Sequence, residues 1–387
     1  MSSKESSKNK CCLMAITGAY HTGGGIAAVN RLIIKTLSKV NSFITIYSLL
    51  EENSQIDYRY SGFSAISLHT YKGNKVLFSL SVIKDLLLNK YDYIYVDHVN
   101  LAFFLFPLVA LKKLKYITWL HGIEVFEPRP DSEGLIGLKF AWKRLCSSQY
   151  TCDNVKGRFP DIKFIPCDLA LDPVLYSQGT FQDSQFNIQD LKFIAINGVE
   201  QIIGPNLILN VGRMVSGERY KGQDSLINAF PQTLAKHPDA QLLLAGTGDD
   251  YFFFKSIVLQ MRPEVQEKIF MPGFVDDALL KKLYGACYIF AMPSIGEGFG
   301  LTYLEAMAHE KPCLGGKIDA TPYVIRDGIT GILVNDPRSA EQVSIALNWF
   351  MDHPRETRQM GKTGGELVRT YYLYQHFEQR FWKALEG

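Results

Sequence analysis

The stretch Glu297-Gly298-Phe299-Gly300-Leu301-Thr302-Tyr303-Leu304-Glu305 gives the strongest indication of the fold. Two carboxylates lie eight residues apart, with a glycine-rich turn between them. The apolar run before the turn, Tyr288 to Ser294, is typical of a buried strand that is stopped by a proline. This pattern predicts Glu297 in the loop at the carboxyl end of a strand and Glu305 about two turns into the next helix.

The position of the two acids predicts a ligand site. Open α/β sheets bind their ligands at the carboxyl ends of the strands. Gly298 and Gly300 would let a small ligand approach the backbone, and the start of the helix offers unpaired N–H groups to anionic or hydroxyl-rich groups. Two acids in this place suit hydrogen bonds to sugar and ribose hydroxyls. The alternative for each glutamate is that its carboxylate binds no ligand and either interacts favourably with the helix dipole or is exposed to solvent.

A second motif lies upstream, in Asn210-Val211-Gly212-Arg213-Met214 and Glu218-Arg219-Tyr220-Lys221-Gly222. Leu207 to Val211 is typical of a strand, and Gly212 lets the chain turn sharply. Arg213 and Lys221 then lie on a loop that leads into a helix near Asp224. A forked guanidinium and an ammonium near a helix start fit a diphosphate. An exposed basic loop is the alternative.

Two further segments lie in the first half of the chain, Trp119-Leu120-His121-Gly122-Ile123-Glu124 and the glycine loop from Thr17 to Ile26. A His at a strand end can hydrogen-bond a sugar hydroxyl or support charge at a reacting carbon, although a lone His is more often structural. A glycine loop between the first strand and the first helix can face a phosphate or an acceptor. It is not a Gly-x-Gly-x-x-Gly fingerprint, and no acid ends the 44–47 run, which disfavours a dinucleotide site.

In chain order, these segments resemble the motifs of retaining GT-B glycosyltransferases, most closely glycosyltransferase family 4. The motifs are a glycine loop, His-Gly-x-Asp/Glu, Gly-Arg…Lys-Gly and Glu-x7-Glu. The resemblance implies an α/β fold of two Rossmann-like doubly wound domains that face a central cleft, with a C-terminal helix that crosses back. We predict an acceptor-side domain at 11–190, a nucleotide-sugar-binding domain at 191–365, and the returning helix at 366–387.

The resemblance also implies a role for each motif. Arg213 and Lys221 would hold the donor diphosphate, Glu305 the ribose, and Glu297 the donor sugar, with His121 at the sugar from the other domain. The catalytic candidates are His121, Arg213, Lys221 and Glu297. The donor-binding candidates are Gly24, Gly25, Gly246, Phe274, Val275, Phe299, Gly300, Leu301 and Glu305. Phe274 and Val275 would line the nucleotide base. No metal and no cofactor is expected, because the nucleotide diphosphate sugar is itself the substrate.

Composition agrees with two globular domains. The chain has 387 residues, more than one hydrophobic core usually supports, with 47% apolar and 21% charged residues. A net charge of +2 gives no nucleic-acid signal. The seven cysteines form no Cys-x-x-Cys pair and no zinc spacing, which predicts reduced cytosolic thiols. Residues 1–10 are polar, expected to be flexible, and show no signal peptide. A cytoplasmic protein is therefore expected.

A basic and aromatic surface could place the protein at a membrane. The apolar run 101–111 is too short to span a bilayer and contains Pro107. It is followed by Lys112, Lys113 and Lys115, and the segment 135–145 adds basic residues among aromatic ones. Peripheral contact with the inner face of an anionic membrane is one interpretation. A buried helix with a solvated basic edge is the preferred one.

Together these features predict a retaining hexosyltransferase. It would move a hexose from a nucleotide diphosphate sugar to a hydroxyl of a glycan or a lipid-linked acceptor, with envelope polysaccharide assembly as one setting. A nucleotide-sugar-binding protein without catalysis is the first alternative. A dinucleotide-dependent oxidoreductase is the second, and it leaves the Glu pair unexplained. The segment 171–190, rich in Gln, Ser and Asp, is the predicted linker.

Overall fold

The computed structural model of the chain describes residues 10–102, 105, 108, 114–126, 134–176 and 191–386. The chain divides into two compact units, one of Met1–Ser177 with Tyr374–Gly387, and one of Gln178–Leu373. The sequence analysis placed the two boundaries at 190/191 and 365/366. Three parts of the sequence analysis fall outside the described residues: most of the predicted linker, the polar residues 1–9, and Lys112 and Lys113 of the basic surface.

The first unit is built on a parallel sheet with strand order β3-β2-β1-β4-β5-β6-β7 in the described residues. The central strands are apolar runs buried on both faces, as parallel strands covered by helices require. The order reverses between β1 and β4, which defines the switch point of a doubly wound fold. The strands are β1 (Cys11–Ile16), β2 (Phe43–Ser48), β3 (Ala65–Thr70), β4 (Tyr93–Val96), β5 (Tyr116–Leu120), β6 (Lys143–Cys146) and β7 (Ile165–Pro166).

Helices connect these strands. They are α1 (Gly25–Leu37), α2 (Lys75–Leu88), α3 (Ile123–Phe126), α4 (Gly134–Phe140) and α5 (Gln149–Lys156), and residues 99–102 are also helical. The expected buried helix with a solvated basic edge extends only to Phe140, where helix α4 ends, and Lys143 begins strand β6. The chain turns at Ala141 and Trp142, so the basic residues that follow belong to the sheet. No helix in the described residues is long and apolar enough to cross a bilayer.

The second unit repeats the plan, with a parallel sheet of order β12-β11-β10-β13-β14-β15. The predicted alternation of strands and helices is confirmed here, and the strand at Leu207–Val211 has the predicted bounds. The order reverses between β10 and β13. The strands are β8 (Lys192–Ile194), β9 (Glu200–Ile202), β10 (Leu207–Val211), β11 (Gln241–Ala245), β12 (Ile269–Gly273), β13 (Ile289–Met292), β14 (Cys313–Gly316) and β15 (Gly331–Val334).

Strands β8 and β9 lie at the start of the second unit, before the strands of its parallel sheet. They pair antiparallel as a hairpin. The hairpin attaches to the edge of the sheet, because the N–H of Ile196 donates to the carbonyl of Ile269 at 3.1 Å and Ala195 bridges Phe270. This extra element covers the outer edge of β12, which would otherwise expose unpaired backbone groups.

The helices of the second unit pack on both faces of its sheet. They are α6 (Gln223–Lys236), α7 (Tyr251–Leu259), α8 (Pro263–Gln266), α9 (Asp277–Ala286), α10 (Leu301–Ala308), α11 (Ala340–Asp352) and α12 (Pro354–Tyr371). Helix α10 begins at Leu301, so Glu305 lies just beyond the first turn rather than two turns into the helix. A short 3₁₀ segment, Ser216–Lys221, precedes α6.

The last helix, α13 (Tyr374–Glu386), belongs to the first unit. Phe377 and Phe381 are fully buried, and the Phe377 ring lies 6.1 Å from the ring of Trp119. The guanidinium of Arg380 donates to the carbonyl oxygens of Asp168 at 3.1 Å and Leu169 at 3.2 Å. The aromatic periodicity near the end of the chain therefore marks a helix that is buried in the first unit although it follows the second in sequence.

Candidate active site

Two loops meet at the switch point of the second sheet. Strands β10 and β13 are parallel neighbours, so the loops that follow them leave the same edge of the sheet. One loop carries Gly212, Arg213 and the 3₁₀ segment to Lys221. The other runs from Pro293 to Gly300 and carries Glu297.

Backbone contacts lock these two loops together. The N–H of Ile295 donates to the carbonyl of Tyr220 at 2.8 Å. Gly222 has φ +74°, and a Cβ there would collide with the carbonyl oxygen of Pro293. Only glycine combines this left-handed backbone with so close an approach. The contact fixes the position of Lys221 relative to Glu297.

Lys221 and Glu297 form an ion pair at this edge. The ammonium Nζ donates to Oε1 of Glu297 at 3.1 Å, and the side chains are 16% and 13% exposed. The pair joins residues from the two motifs that the sequence analysis identified separately. It is largely withdrawn from water, where charge interactions are stronger than at a free surface, and it keeps some access to a ligand.

Arg213 lies apart from this pair. Its side chain is 62% exposed, and its guanidinium pairs with Glu218. The loop itself is held from behind, because the amide of Gln223 donates to the Arg213 carbonyl at 3.2 Å. An exposed guanidinium on a fixed loop can turn towards an incoming anion at little cost.

Gly246 supports the same loop. It follows β11, and a Cβ on this residue would collide with the carbonyl of Gly212. The N–H of Gly212 donates to the carbonyl of Ala245 at 3.0 Å. In this structure Gly246 therefore allows two backbone segments to pack closely. Whether it also contacts a donor stays a prediction.

The second acid of the motif is held by a tyrosine. The hydroxyl of Tyr284, a buried residue on α9, donates to Oε2 of Glu305 at 2.8 Å. This bond orients the half-buried carboxylate on α10. A carboxylate can accept several hydrogen bonds, so one such contact is compatible with binding a ribose hydroxyl.

The remaining candidates of the second unit divide between core and surface. Phe299 is buried and packs against the ring of Tyr372, which leaves its backbone as the group that could face a phosphate. Gly300 has φ +98° and caps α10, and Leu301 is half-buried. Phe274 is 79% exposed after β12, and Val275 is half-buried. An aromatic ring so exposed at the ligand edge suits stacking on a base.

The sequence analysis missed Asp319. This side chain is 2% exposed, and its carboxylate accepts from the N–H of Glu297 at 2.7 Å and from the N–H of Thr321 at 2.9 Å. Burial raises the pKa of Asp319 to about 6. The group holds the backbone of Glu297 in place from beneath. The sequence contained one signal for this residue, since Asp319 is an acid that closely follows the apolar strand β14.

In the first unit, His121 follows β5 and is fixed through both ring and backbone. Its Nε2 lies 2.8 Å from the carbonyl oxygen of Asp97. Because a carbonyl only accepts, Nε2 carries the proton, and Nδ1 is an acceptor in the neutral ring. Burial lowers the pKa of His121 and favours that neutral form. The carboxylate of Glu124 accepts from the backbone N–H groups of His121 and Gly122, so it stabilises the turn.

Two carboxylates that were not predicted as site residues organise the glycine loop. Oδ2 of Asp97 accepts from the N–H and hydroxyl of Thr17 and from the amide of Asn30, at 2.6–2.7 Å. Glu51 is 1% exposed and accepts from the N–H groups of residues 19, 20 and 21. These N–H groups are therefore satisfied within the protein. Gly24, with φ +99°, and Gly25 start α1 beyond them.

Two pairs of adjacent acids have local roles. Asp249 accepts from the N–H and hydroxyl of Ser216, and Asp250 pairs with the guanidinium of Arg219. Asp250 stands directly before helix α7, but its side chain makes no capping hydrogen bond to that helix. Asp276 does cap its helix, by accepting from the N–H of Leu279 at 2.8 Å.

Residues 197–366 match the family model of Glycosyl transferases group 1. A GDP-mannose-dependent monoacylated alpha-(1-6)-phosphatidylinositol monomannoside mannosyltransferase of Corynebacterium glutamicum is 28% identical over 62% of this chain and 61% of its own. A phosphatidyl-myo-inositol mannosyltransferase of Mycobacterium leprae is 32% identical over 42% of each chain. The alignments with the first three relatives span between 35% and 61% of those proteins.

Solved structures extend the likeness to nearly the whole chain. Anabaena Alr3699/HepE in complex with UDP has a TM-score of 0.74 at 16% identity, over 97% of this chain and 99% of the other. Sucrose-phosphate synthase from Thermosynechococcus elongatus has a TM-score of 0.73 at 16% identity, over 97% and 98%. Residues 197–366, somewhat less than half of the chain, are therefore similar to the Glycosyl transferases group 1 family, and the two Rossmann-like units have the GT-B fold.

Proposed function

We propose that this protein is a retaining hexosyltransferase that moves a hexose from a nucleotide diphosphate sugar to a hydroxyl acceptor. The Lys221–Glu297 ion pair at the switch point of the second sheet carries the proposal. It sets a cation for the diphosphate beside an acid for the sugar hydroxyls. A cation at this position stabilises the charge that develops on the leaving phosphate, which is the largest contribution in reactions of this kind.

The proposed reaction breaks the bond between the anomeric carbon and the phosphate oxygen. The acceptor oxygen forms its bond to the same face of the sugar, which retains the configuration. The acceptor proton passes to the leaving phosphate, so no side chain has to act as a dedicated base. Arg213 joins Lys221 at the diphosphate when it leaves Glu218, and Glu305 binds the ribose.

His121 supports this chemistry as a neutral acceptor. With Nε2 bonded to the Asp97 carbonyl, Nδ1 is the ring atom that can receive a hydrogen bond from a sugar hydroxyl. Gly24 and Gly25 would bring backbone N–H groups towards the diphosphate from the same unit. Catalysis is proposed to be metal-independent, because Lys221, Arg213 and the helix starts supply the positive charge.

The names of the relatives favour a lipid-linked or glycan acceptor. Two relatives act on phosphatidylinositol derivatives, and one of them depends on GDP-mannose. Peripheral membrane contact of a cytoplasmic enzyme belongs to the same proposal. The half-exposed Trp142 supports it, since the ammonium groups of Lys115 and Lys143 lie 5.2 and 5.3 Å from its ring centroids.

The test is incubation with a panel of nucleotide sugars and detection of released nucleoside diphosphate. A transferase releases nucleoside diphosphate from one donor, and Glu297→Gln abolishes most of the release. A binding protein without catalysis binds the donor and releases nothing. A dinucleotide-dependent oxidoreductase neither binds the nucleotide sugar nor releases nucleoside diphosphate from it. Either of the last two results would replace the proposed function.

A further inference from the structure

Three carboxylates fill backbone anion sites at the ligand edge of the first sheet. Strands β2, β1, β4 and β5 are parallel neighbours, so the loops that follow them leave the same edge. Glu51 lies just beyond β2, Asp97 beyond β4 and Glu124 beyond β5. Each carboxylate accepts hydrogen bonds from backbone N–H groups of these loops. Converging backbone N–H groups are the sites at which loops bind phosphate and other anions.

The glycine loop shows the arrangement most clearly. The N–H groups of Ala19, Tyr20 and His21 converge on the carboxylate of Glu51, at 2.6–3.1 Å. Glu51 is 1% exposed. Three successive N–H groups directed at one point form a concavity that suits an anion. The protein's own carboxylate therefore occupies the anion site of this loop.

The two neighbouring loops are filled in the same way. Oδ2 of Asp97 accepts from the N–H of Thr17 at 2.7 Å and from its hydroxyl at 2.6 Å. Asp97 is fully buried, and its Oδ1 has no hydrogen-bond partner among the described residues. The carboxylate of Glu124 accepts from the N–H groups of residues 121 and 122. The backbone donors of these loops are thus used within the protein.

The three carboxylates are not neutralised by ion pairs. Across the described ranges, no lysine or arginine forms an ion pair with any of them. Arg31 and Arg59 of the same unit pair with Asp172 and Asp57 instead. The edge therefore combines negative charge with backbone N–H groups that are already bonded, and both features disfavour an anionic ligand.

We propose that the acceptor group that enters this edge is an uncharged sugar or other polyol, and that a phosphorylated sugar is excluded. Carboxylate oxygens and Nδ1 of the neutral His121 ring accept hydrogen bonds, which a hydroxyl can donate and a phosphate dianion cannot. Like charge across a binding site acts against the wrong partner. The acceptor class rests on the proposed function. The start of α1, to which the donor diphosphate is assigned, lies outside these three sites.

The first experiment compares uncharged acceptors with their phosphates. Release of nucleoside diphosphate from the preferred donor is measured with mannose and mannose 6-phosphate, with glucose and glucose 6-phosphate, and with myo-inositol and its monophosphate. The uncharged member of a pair should support release roughly tenfold better or more, because the phosphate is repelled. Equal or better use of the phosphorylated member would overturn the proposal.

A titration with inorganic phosphate tests the same edge without turnover. Isotope labelling of the eight histidines makes NMR signals of the N–H groups of His21 and His121, which bond to Glu51 and Glu124. With nucleoside diphosphate added to fill the donor site, phosphate should leave both signals unchanged. A saturable shift of either signal in the wild type would contradict the proposal. If no donor released nucleoside diphosphate, the proposed function would be wrong, and this titration would still decide whether the edge excludes anions.

Glu51→Ala empties the anion site of the glycine loop. The variant should bind acetate, which supplies the missing carboxylate, with a saturable shift of the His21 signal and a rise in Tm at constant ionic strength. Glu52→Ala is the matched control, because Glu52 is the exposed neighbour in the chain, and it should respond no more than the wild type. A folded Glu51→Ala that ignores acetate would show that Glu51 fills no anion site and would overturn the proposal. If the variant does not fold, the phosphate titration of the wild type decides.

Discussion

Lys221→Ala tests whether the ion pair at the switch point is part of the donor site. The variant removes one charge-assisted contact to the diphosphate, which contributes about 1.5–3 kcal/mol. It also leaves Glu297, whose side chain is only 13% exposed, without its partner. The carboxylate would then repel the incoming diphosphate. Both effects lower kcat/KM in the same direction, by roughly 10- to 150-fold for the contact alone.

A double-mutant cycle separates these effects. In the Glu297→Gln background the unpaired carboxylate is absent, so Lys221→Ala should cost less than it does in the wild type. The two losses should therefore be non-additive, with a coupling of about 0.5–3 kcal/mol. The assay is kcat/KM for nucleoside diphosphate release from the preferred donor by the four proteins of the cycle, each checked for its fold by circular dichroism.

Lys236→Ala is the matched control. Its ammonium pairs with Asp352 in the same unit, but the two side chains are 53% and 34% exposed. Exposed pairs of this kind contribute little, so its kcat/KM should equal that of the wild type. Additive losses in the cycle, within about 0.3 kcal/mol, would refute the reasoning that Lys221 and Glu297 act as one unit.

Three further predictions follow from the site. Glu305→Gln should weaken binding of bare nucleoside diphosphate while Glu297→Gln spares it and impairs transfer; equal calorimetric losses would mean that the assigned roles are wrong. Protonation of Asp319 below pH about 6 removes one of the two acceptors that hold the N–H groups of Glu297 and Thr321. The value of kcat/KM should therefore decrease as the pH falls below about 6. If a folded Asp319→Asn variant showed the same decrease as the wild type, the assignment of this decrease to Asp319 would be wrong. Activity should survive excess chelator, and proton NMR should find the donor's anomeric configuration in the product; an inverted product would exclude the retaining mechanism.

The same pKa has an opposite consequence for stability. Burial raises the pKa of Asp319 from 3.8 to about 6, so the folded state holds this proton more tightly than the unfolded chain between those values. The contribution of the group to stability is therefore lost as the pH rises through that window, by about 3 kcal/mol. The group facing it with like charge is Glu297, and the Tyr303 and Thr321 side chains lie beside it. The ionised form of Asp319, which holds the backbone of Glu297, therefore lowers the free energy of unfolding of the protein.

The sequence was sufficient for the parts of the site that depend on strand ends. Leu207–Val211 is an apolar run stopped by a glycine, and Tyr288–Ser294 is one stopped by a proline, so both loops could be placed at one edge of a parallel sheet. The fold class followed from the order of these motifs. The ion pair between Lys221 and Glu297 did not, because it depends on the contact of Gly222 with Pro293, which has no signature in either motif alone.

Other features lay beyond the sequence for different reasons. Asp319, Asp97 and Glu51 act on backbone groups far away in the chain, and an isolated acid after a strand is common. The partner of Arg213 is Glu218, five residues on, and local pattern does not distinguish such a pair from a free guanidinium. The hairpin of β8 and β9 is short and mixed in polarity, so its attachment to the sheet edge is fixed by tertiary contacts rather than by its own periodicity.

The central claim is that the second unit holds a nucleoside diphosphate through Lys221. The direct measurement is calorimetric titration of the wild type and of Lys221→Ala with nucleoside monophosphates and diphosphates of each base. We predict that one diphosphate binds the wild type, that its monophosphate binds more weakly, and that Lys221→Ala lowers the affinity for the diphosphate by roughly tenfold or more. Equal binding of the diphosphate by both proteins, or no binding of any diphosphate, would contradict the account.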